Sequence, residues 1–254
     1  DVVVGASRYD HGQSDEGRVF VFHGSPSGLA ASPAWAAESN QADAEFGVSV
    51  AAAGDVNGDG YCDVIVGASY YSHVAYYGDE GAAFVFYGST TGLAPDAAWT
   101  ANGNQGGAYF GTSVASAGDV NGDGLDDVIV GAPGYTTAVA NEGRAFVYHG
   151  SAAGLPTSAS WTANSGQAYA RFGTSVASAG DVNGDGFSDV VVGAPDFENG
   201  QPNEGRSFVY HGSATGLTAG AMWTAESNDQ DADFGRSVAS AGDVNGDGYS
   251  EIIV

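Results

Sequence analysis

The chain of 254 residues contains no lysine and only six arginines, set against 31 acidic residues, for a formal charge of -25. A nucleic-acid backbone calls for a basic surface, so nucleic acid is excluded as a partner class. Anionic lipid surfaces are excluded on the same ground. The single cysteine, Cys62, rules out an internal disulfide, and no copy of the pattern described below supplies it with a matched base. No run of 18 apolar residues occurs, so no membrane span and no direct membrane insertion are expected. A nucleophile elbow, a zinc-binding helix motif and a phosphate-binding glycine loop are all missing, and the chain reads as a non-enzyme.

Glycine and aspartate are abundant instead. The 41 glycines are about twice the usual share and follow no Gly-x-y period, so they mark turns. Many belong to one nonapeptide, Asp-x-Asn-Gly-Asp-Gly-x-x-Asp/Glu, which starts at Asp55, Asp119, Asp181 and Asp243, at spacings of 64, 62 and 62 residues. Oxygen ligands at alternating positions, with a glycine at the sixth, are what a hard cation such as calcium requires of a short loop. The expected ligands of the first loop are Asp55, Asn57, Asp59, the carbonyl of Tyr61, and Asp63. The second uses Asp119, Asn121, Asp123, Leu125 and Asp127; the third Asp181, Asn183, Asp185, Phe187 and Asp189. The fourth uses Asp243, Asn245, Asp247, Tyr249 and Glu251, and the extra methylene of Glu251 predicts weaker binding there or one altered oxygen distance. Magnesium, which prefers fewer protein ligands, fits less well. The ions read as structural: the loops belong to separate copies, whereas two-metal hydrolysis needs ions about 4 Å apart.

The period divides the chain into copies at 1–62, 63–126, 127–188 and 189–250, with a fifth starting at 251–254. Asp1 matches Asp63, so it is expected to be the last ligand of a further loop, and the chain to be a slice of a longer protein. Each copy holds four short strands. The first (48–53, 112–117, 174–179, 236–241) enters the Asp/Asn loop and the second (63–68 and equivalents) leaves it, so the loop joins an antiparallel pair. The third is 18–23, 82–87, 144–149 and 206–211, followed by a Ser-x-x-Gly-Leu turn. The fourth surrounds Trp35, Trp99, Trp161 and Trp223, which read as packing between copies. Four antiparallel strands per unit of about 62 residues, with aromatics at fixed positions, predict an all-β fold of the β-propeller type; a β-solenoid is the alternative.

The string from Phe46-Gly47 to Gly67-Ala68, repeated from Phe110-Gly111, Phe172-Gly173 and Phe234-Gly235, resembles the FG-GAP repeat of integrin alpha subunits and of many secreted bacterial proteins. The resemblance covers essentially the whole chain. It implies a propeller with calcium in the loop between the first two strands of each blade, and ligand binding on the opposite face. Ser7 and Ser69 stand where the family prefers proline.

On that opposite face the copies differ. Residues 69–80 are two longer than their equivalents and carry Tyr70, Tyr71, His73, Tyr76 and Tyr77, a cluster suited to contact with a protein or to stacking on sugars. His23, His149 and His211 share one repeat position with Tyr87 and read as strand-end aromatics. Arg18, Arg144 and Arg206 are expected to pair with Glu16, Glu142 and Glu204. The function expected is a calcium-stabilised extracellular or cell-surface scaffold for binding or adhesion. A structural repeat of a stalk or filament, touching neighbouring copies, is the alternative, and the non-catalytic domain of a larger secreted enzyme a third.

Overall fold

The computed structural model describes residues 1–73 and 78–254. Three complete four-stranded antiparallel sheets follow one another along the chain. They are β6 (Ser49–Gly54), β7 (Asp63–Ala68), β8 (Ala82–Phe86) and β9 (Trp99–Asn102); β10 (Ser113–Gly118), β11 (Asp127–Ala132), β12 (Arg144–Tyr148) and β13 (Trp161–Asn164); and β14 (Ser175–Gly180), β15 (Asp189–Ala194), β16 (Arg206–Tyr210) and β17 (Trp223–Glu226). Before them lie β1 (Val2–Ala6), β2 (Arg18–Phe22) and β5 (Trp35–Glu38) in a three-stranded sheet, and a small pair, β3 (Gly24–Ser25) and β4 (Gly28–Leu29). After them comes the hairpin of β18 (Ala239–Gly242) and β19 (Glu251–Ile253). No helix among the described residues is long and apolar enough to cross a membrane.

The first strand of each sheet ends one residue later than the sequence pattern suggests. A bulge between Ala52 and Gly54, repeated at 116/118, 178/180 and 240/242, is the cause. Gly54 has φ 80°, a conformation open to glycine, and pairs with Asp63 across the bulge. The two halves of the nonapeptide loop are thereby brought level.

Every residue of β7, β11 and β15 is buried, because each second strand has a neighbouring sheet on both sides. Its valine and isoleucine side chains alternate between those two contacts, hence the continuous apolar runs. Phe110 and Phe172 are fully buried, and each meets the third strand of its own sheet edge-on, at Phe146 and Phe208. The Phe-Gly segment also ties copies together. Phe110 N–H donates to the Glu80 carbonyl (3.0 Å) and Phe172 N–H to that of Glu142 (3.1 Å). At Gly67, Gly131 and Gly193 a Cβ would meet the carbonyl oxygen of Gly111, Gly173 and Gly235 at 1.9, 1.9 and 1.8 Å. Neighbouring sheets approach there backbone to backbone.

The tryptophans bridge sheets at the outer strand. Trp99 donates its indole N–H to the Pro156 carbonyl at 2.8 Å and meets the Tyr148 ring at 4.8 Å; Trp35 and Trp161 do the same with Ala94 and Thr218. Trp99 is 6% exposed and Trp223 is 44% exposed. In the 254-residue chain, Trp99→Ala is expected to cost about 3–5 kcal/mol, and Trp223→Ala about 1 kcal/mol or less. Paired denaturant melts measure the difference.

Candidate metal centres

Each nonapeptide folds as a nest of side-chain to backbone bonds around its first residue. Asp55 Oδ1 accepts from the N–H groups of Gly58 (2.7 Å) and Asp59 (3.0 Å), and Oδ2 from Gly60 (2.8 Å). Asn57 Oδ1 accepts from Asp59 N–H, its amide donates to Asp59 Oδ2, and Asp59 Oδ1 accepts from Tyr61 N–H. The same set recurs around Asp119, Asp181 and Asp243. Gly60, Gly124, Gly186 and Gly248 have φ between 87° and 93° and turn the chain back on itself. Side chains at positions 1, 3 and 5 are therefore held on one side of each loop.

Position 9 behaves differently in the first three loops and in the last. Asp63, Asp127 and Asp189 are fully buried, and each uses both oxygens on backbone amides: Asp63 accepts from Val56 (3.0 Å) and Gly88 (2.8 Å), Asp127 from Val120 and Gly150, Asp189 from Val182 and Gly212. Glu251 reaches farther. It accepts from Val244 N–H at 2.8 Å, and one of its oxygens lies within 4.8 Å of oxygens of both Asp243 and Asp247. Glu251, Asp243 and Asp247 form a group of three carboxylates that could hold a metal ion. The second amide that holds Asp63, Asp127 and Asp189 comes from beyond the third strand of their sheets, and the two-stranded β18–β19 sheet has no third strand among the described residues.

Electrostatics set the loops up for a cation. Burial pushes the Asp127 carboxyl up to about 7, and the charges of Asp123 and Asp119 push the same way against two backbone amides. Burial likewise raises Asp63 to about 6, and it raises Asp189. At the exposed end loop, backbone amides led by Gly248 lower Asp243. Crowded acids with nearby charge of one sign are a donor set that favours a hard divalent ion.

The loops are also laced to one another. Asp126 N–H donates to the Asp55 carbonyl (3.1 Å), Ser188 to Asp119 (2.9 Å) and Ser250 to Asp181 (2.8 Å), while Asp126 Oδ2 accepts from Asp55 N–H. The eighth position, which the sequence leaves without an evident constraint, is a contact between copies.

Several other expectations are corrected. Arg18 and Arg206 pair with Glu38 and Glu226, which strand register puts opposite them on the fourth strand, while Arg144, opposite Asn164, donates to the Thr162 hydroxyl two residues away. Glu16, Glu80, Glu142 and Glu204 are instead buried beneath the variable loops. Their signal was present in the sequence as Asp/Asn-Glu-Gly in every copy, with the first residue at φ 46° to 56°. Tyr71 is half-buried and packs edge-on against Phe84 at 5.5 Å, as Tyr9, Tyr135 and Phe197 do on Phe20, Phe146 and Phe208, so it occupies a position that the repeat shares. Tyr70 is 41% exposed and meets Tyr109 edge-on at 5.4 Å; His73 is exposed. Tyr76 and Tyr77 lie outside the described residues.

Comparison with known proteins agrees with this architecture. The FG-GAP repeat matches residues 46–86, 110–148, 172–210 and 234–254. Integrin alpha-V of Gallus gallus is 33% identical over 223 residues, covering 84% of this chain and 20% of that protein. Integrin alpha-4 and integrin alpha-5 of Xenopus laevis are 35% and 34% identical, over 61% and 60% of this chain and 15% of each protein. The chain spans a fifth or less of the length of these relatives. The sheets, the loops at fixed stations and the matched segments together place the chain in the FG-GAP repeat family.

Proposed function

We propose that the chain forms blades of a calcium-stabilised β-propeller, and that this is an extracellular scaffold for binding or adhesion which recognises a protein or glycan through the face opposite the metal loops. Membership of a repeat family shared with integrin alpha chains supports the reading. The calcium ions would be held by the carboxylates at positions 1, 5 and 9, the asparagine at 3 and the carbonyl at 7 of each loop. When bound, they supply the positive charge that the buried acids lack. Asp55, Asp119, Asp181 and Asp243 keep the loops folded through backbone amides, and in the first three loops an ion would draw the position-nine carboxylate from its two amides toward positions 1 and 5.

The observation that carries the binding reading is the distribution of exposed cations. The chain has six arginines, and Arg8, Arg171 and Arg236 have side chains 77%, 65% and 74% exposed. All three belong to the strand ends away from the metal loops. Arg171 and Arg236 line a groove there with Tyr70, Tyr109 and Asn141. In a chain of charge -25, these guanidinium groups, each paired with one acid (Glu45, Asp196 and Asp233) and set beside the exposed Tyr70, are the cationic part of the surface from which the binding reading is drawn.

Tyr70→Ser combined with Arg171→Ser and Arg236→Ser is expected to weaken binding to a glycan or surface-protein ligand at least tenfold, with the melting temperature unchanged. A glycan array and a surface-protein panel, followed by titration of the hit against the triple variant, measure it. Unchanged affinity would move the site away from this groove. Absence of any ligand, together with ordered end-to-end assembly, would favour the stalk or filament alternative.

A further inference from the structure

The variable end of the first copy contains a group of side chains that the repeat does not require. His11, Glu16 and Glu38 each place one potential ligand atom within 4.8 Å of the others. His11 Nδ1 lies 3.2 Å from Glu38 Oε1 and 3.1 Å from Oε2. Glu16 is fully buried, with Oε1 accepting from His11 N–H and Oε2 having no hydrogen-bond partner. Glu38 Oε2 is likewise buried without a hydrogen bond. A buried carboxylate oxygen without a hydrogen bond is costly, and Glu16 stands within ligand distance of an imidazole and a second carboxylate.

Sister copies show what the fold does without that grouping. In the third copy the position of His11 is Thr137, whose hydroxyl and backbone N–H both bond to Glu142, and the position of Glu38 is Asn164. In the fourth copy Asn199 takes the place of His11 and donates to Glu226 at 2.8 Å. All three sheets share strands and register. Glu80 Oε1 and both oxygens of Glu204 also have no hydrogen-bond partner among the described residues, so the buried carboxylate belongs to the repeat. What the first copy alone combines is that carboxylate with both His11 and Glu38, the second copy having His73 with Asn102 and the fourth Asn199 with Glu226.

We propose that His11, Glu16 and Glu38 bind a divalent transition metal of the zinc class, at a site separate from the calcium loops. One imidazole nitrogen with two carboxylate oxygens is a donor set suited to zinc, whereas all-oxygen loops select calcium. His11 is more than half exposed, so the fourth position opens to solvent. Arg18 approaches Glu38 Oε2 at 3.6 Å and lies over the Tyr9 and Phe20 rings. Two carboxylates stand against one guanidinium there, an excess of negative charge that favours a bound cation.

The test is a zinc titration of the whole chain saturated with calcium, in competition with a chromophoric chelator, with cobalt absorption as a second readout. The expected result is one zinc per chain that calcium does not displace, weakened at least tenfold in both His11→Thr and Glu38→Gln, with the nitrogen-dependent cobalt band lost in His11→Thr. That substitution copies the third repeat and is expected to leave the circular dichroism spectrum unchanged. His149→Ala, in another copy, is expected to retain the zinc. Absence of competitive zinc binding, or equal binding by His11→Thr, overturns the proposal and leaves the group as an ion-paired loop anchor.

Discussion

Chelation of calcium is expected to lower the melting temperature by on the order of 20 °C relative to millimolar calcium. A ligand present at a hundred times its dissociation constant stabilises the fold by about 2.7 kcal/mol per site, so four sites amount to most of the stability of an ordinary domain. For a chain of this size each kcal/mol moves the midpoint by about 2–4 °C. The metal-free protein also has a characteristic pH dependence. Asp63 and Asp127 have carboxyls raised in the fold to about 6 and about 7, from an ordinary value of 3.8. Between about pH 4 and pH 7 the native state thus holds more protons than the unfolded chain, so stability is fully present below that window and lost as pH rises through it. In chelator the protein is expected to melt higher at pH 5 than at pH 7.5, and Asp127→Asn to flatten part of the difference. With calcium bound, these acids are held ionised and the trend disappears or reverses. A midpoint indifferent to chelator at neutral pH would contradict the structural role of the ions.

Gly131→Ala is expected to be among the most damaging single substitutions in the chain, costing more than about 4 kcal/mol. The added Cβ would sit 1.9 Å from the Gly173 carbonyl oxygen and 2.9 Å from its carbon, and both obstacles are backbone. No rotamer change relieves that contact, so the second and third complete sheets must separate or Phe172 must leave its pocket. Gly220→Ala, where nothing lies within 4 Å and φ is unexceptional, is expected to change stability by no more than about 0.5 kcal/mol. Urea melts of the two variants in saturating calcium make the comparison. Equal behaviour would mean that the sheets are not packed backbone to backbone at this station.

Much of this architecture was legible because it is repeated. A nonapeptide at a fixed spacing, a buried Val-Ile-Val run after it and a tryptophan at a constant offset locate loop, second strand and fourth strand in each copy without reference to neighbours. Features that depend on register across strands were less accessible. Along the chain the nearest acids to the arginines are Glu16, Glu142 and Glu204, whereas Glu38 and Glu226 face Arg18 and Arg206 across the outer strand pair. The buried carboxylates of Glu16 and its equivalents announced themselves only as a recurring tripeptide whose burial the chain pattern does not reveal. Tyr71 looked like one of a group of tyrosines peculiar to a long loop. Its position three residues past the Gly-Ala pair, shared with Tyr9, Tyr135 and Phe197, marks it as a repeat position packed against the core. In the first three loops two backbone amides hold the position-nine aspartate, one of them from beyond the third strand, whereas the two-stranded last sheet offers Glu251 the Val244 amide.

The central claim is that the four nonapeptide loops are calcium sites, and a calcium-binding isotherm on the chelator-stripped chain, read together with native mass spectrometry, addresses it most directly. Four ions per chain are expected, falling to three in Asp119→Ala, which removes a first-position carboxylate and the acceptor for the amides of Gly122, Asp123 and Gly124. A chain that takes up no calcium, or whose stoichiometry is the same in Asp119→Ala, would contradict the account.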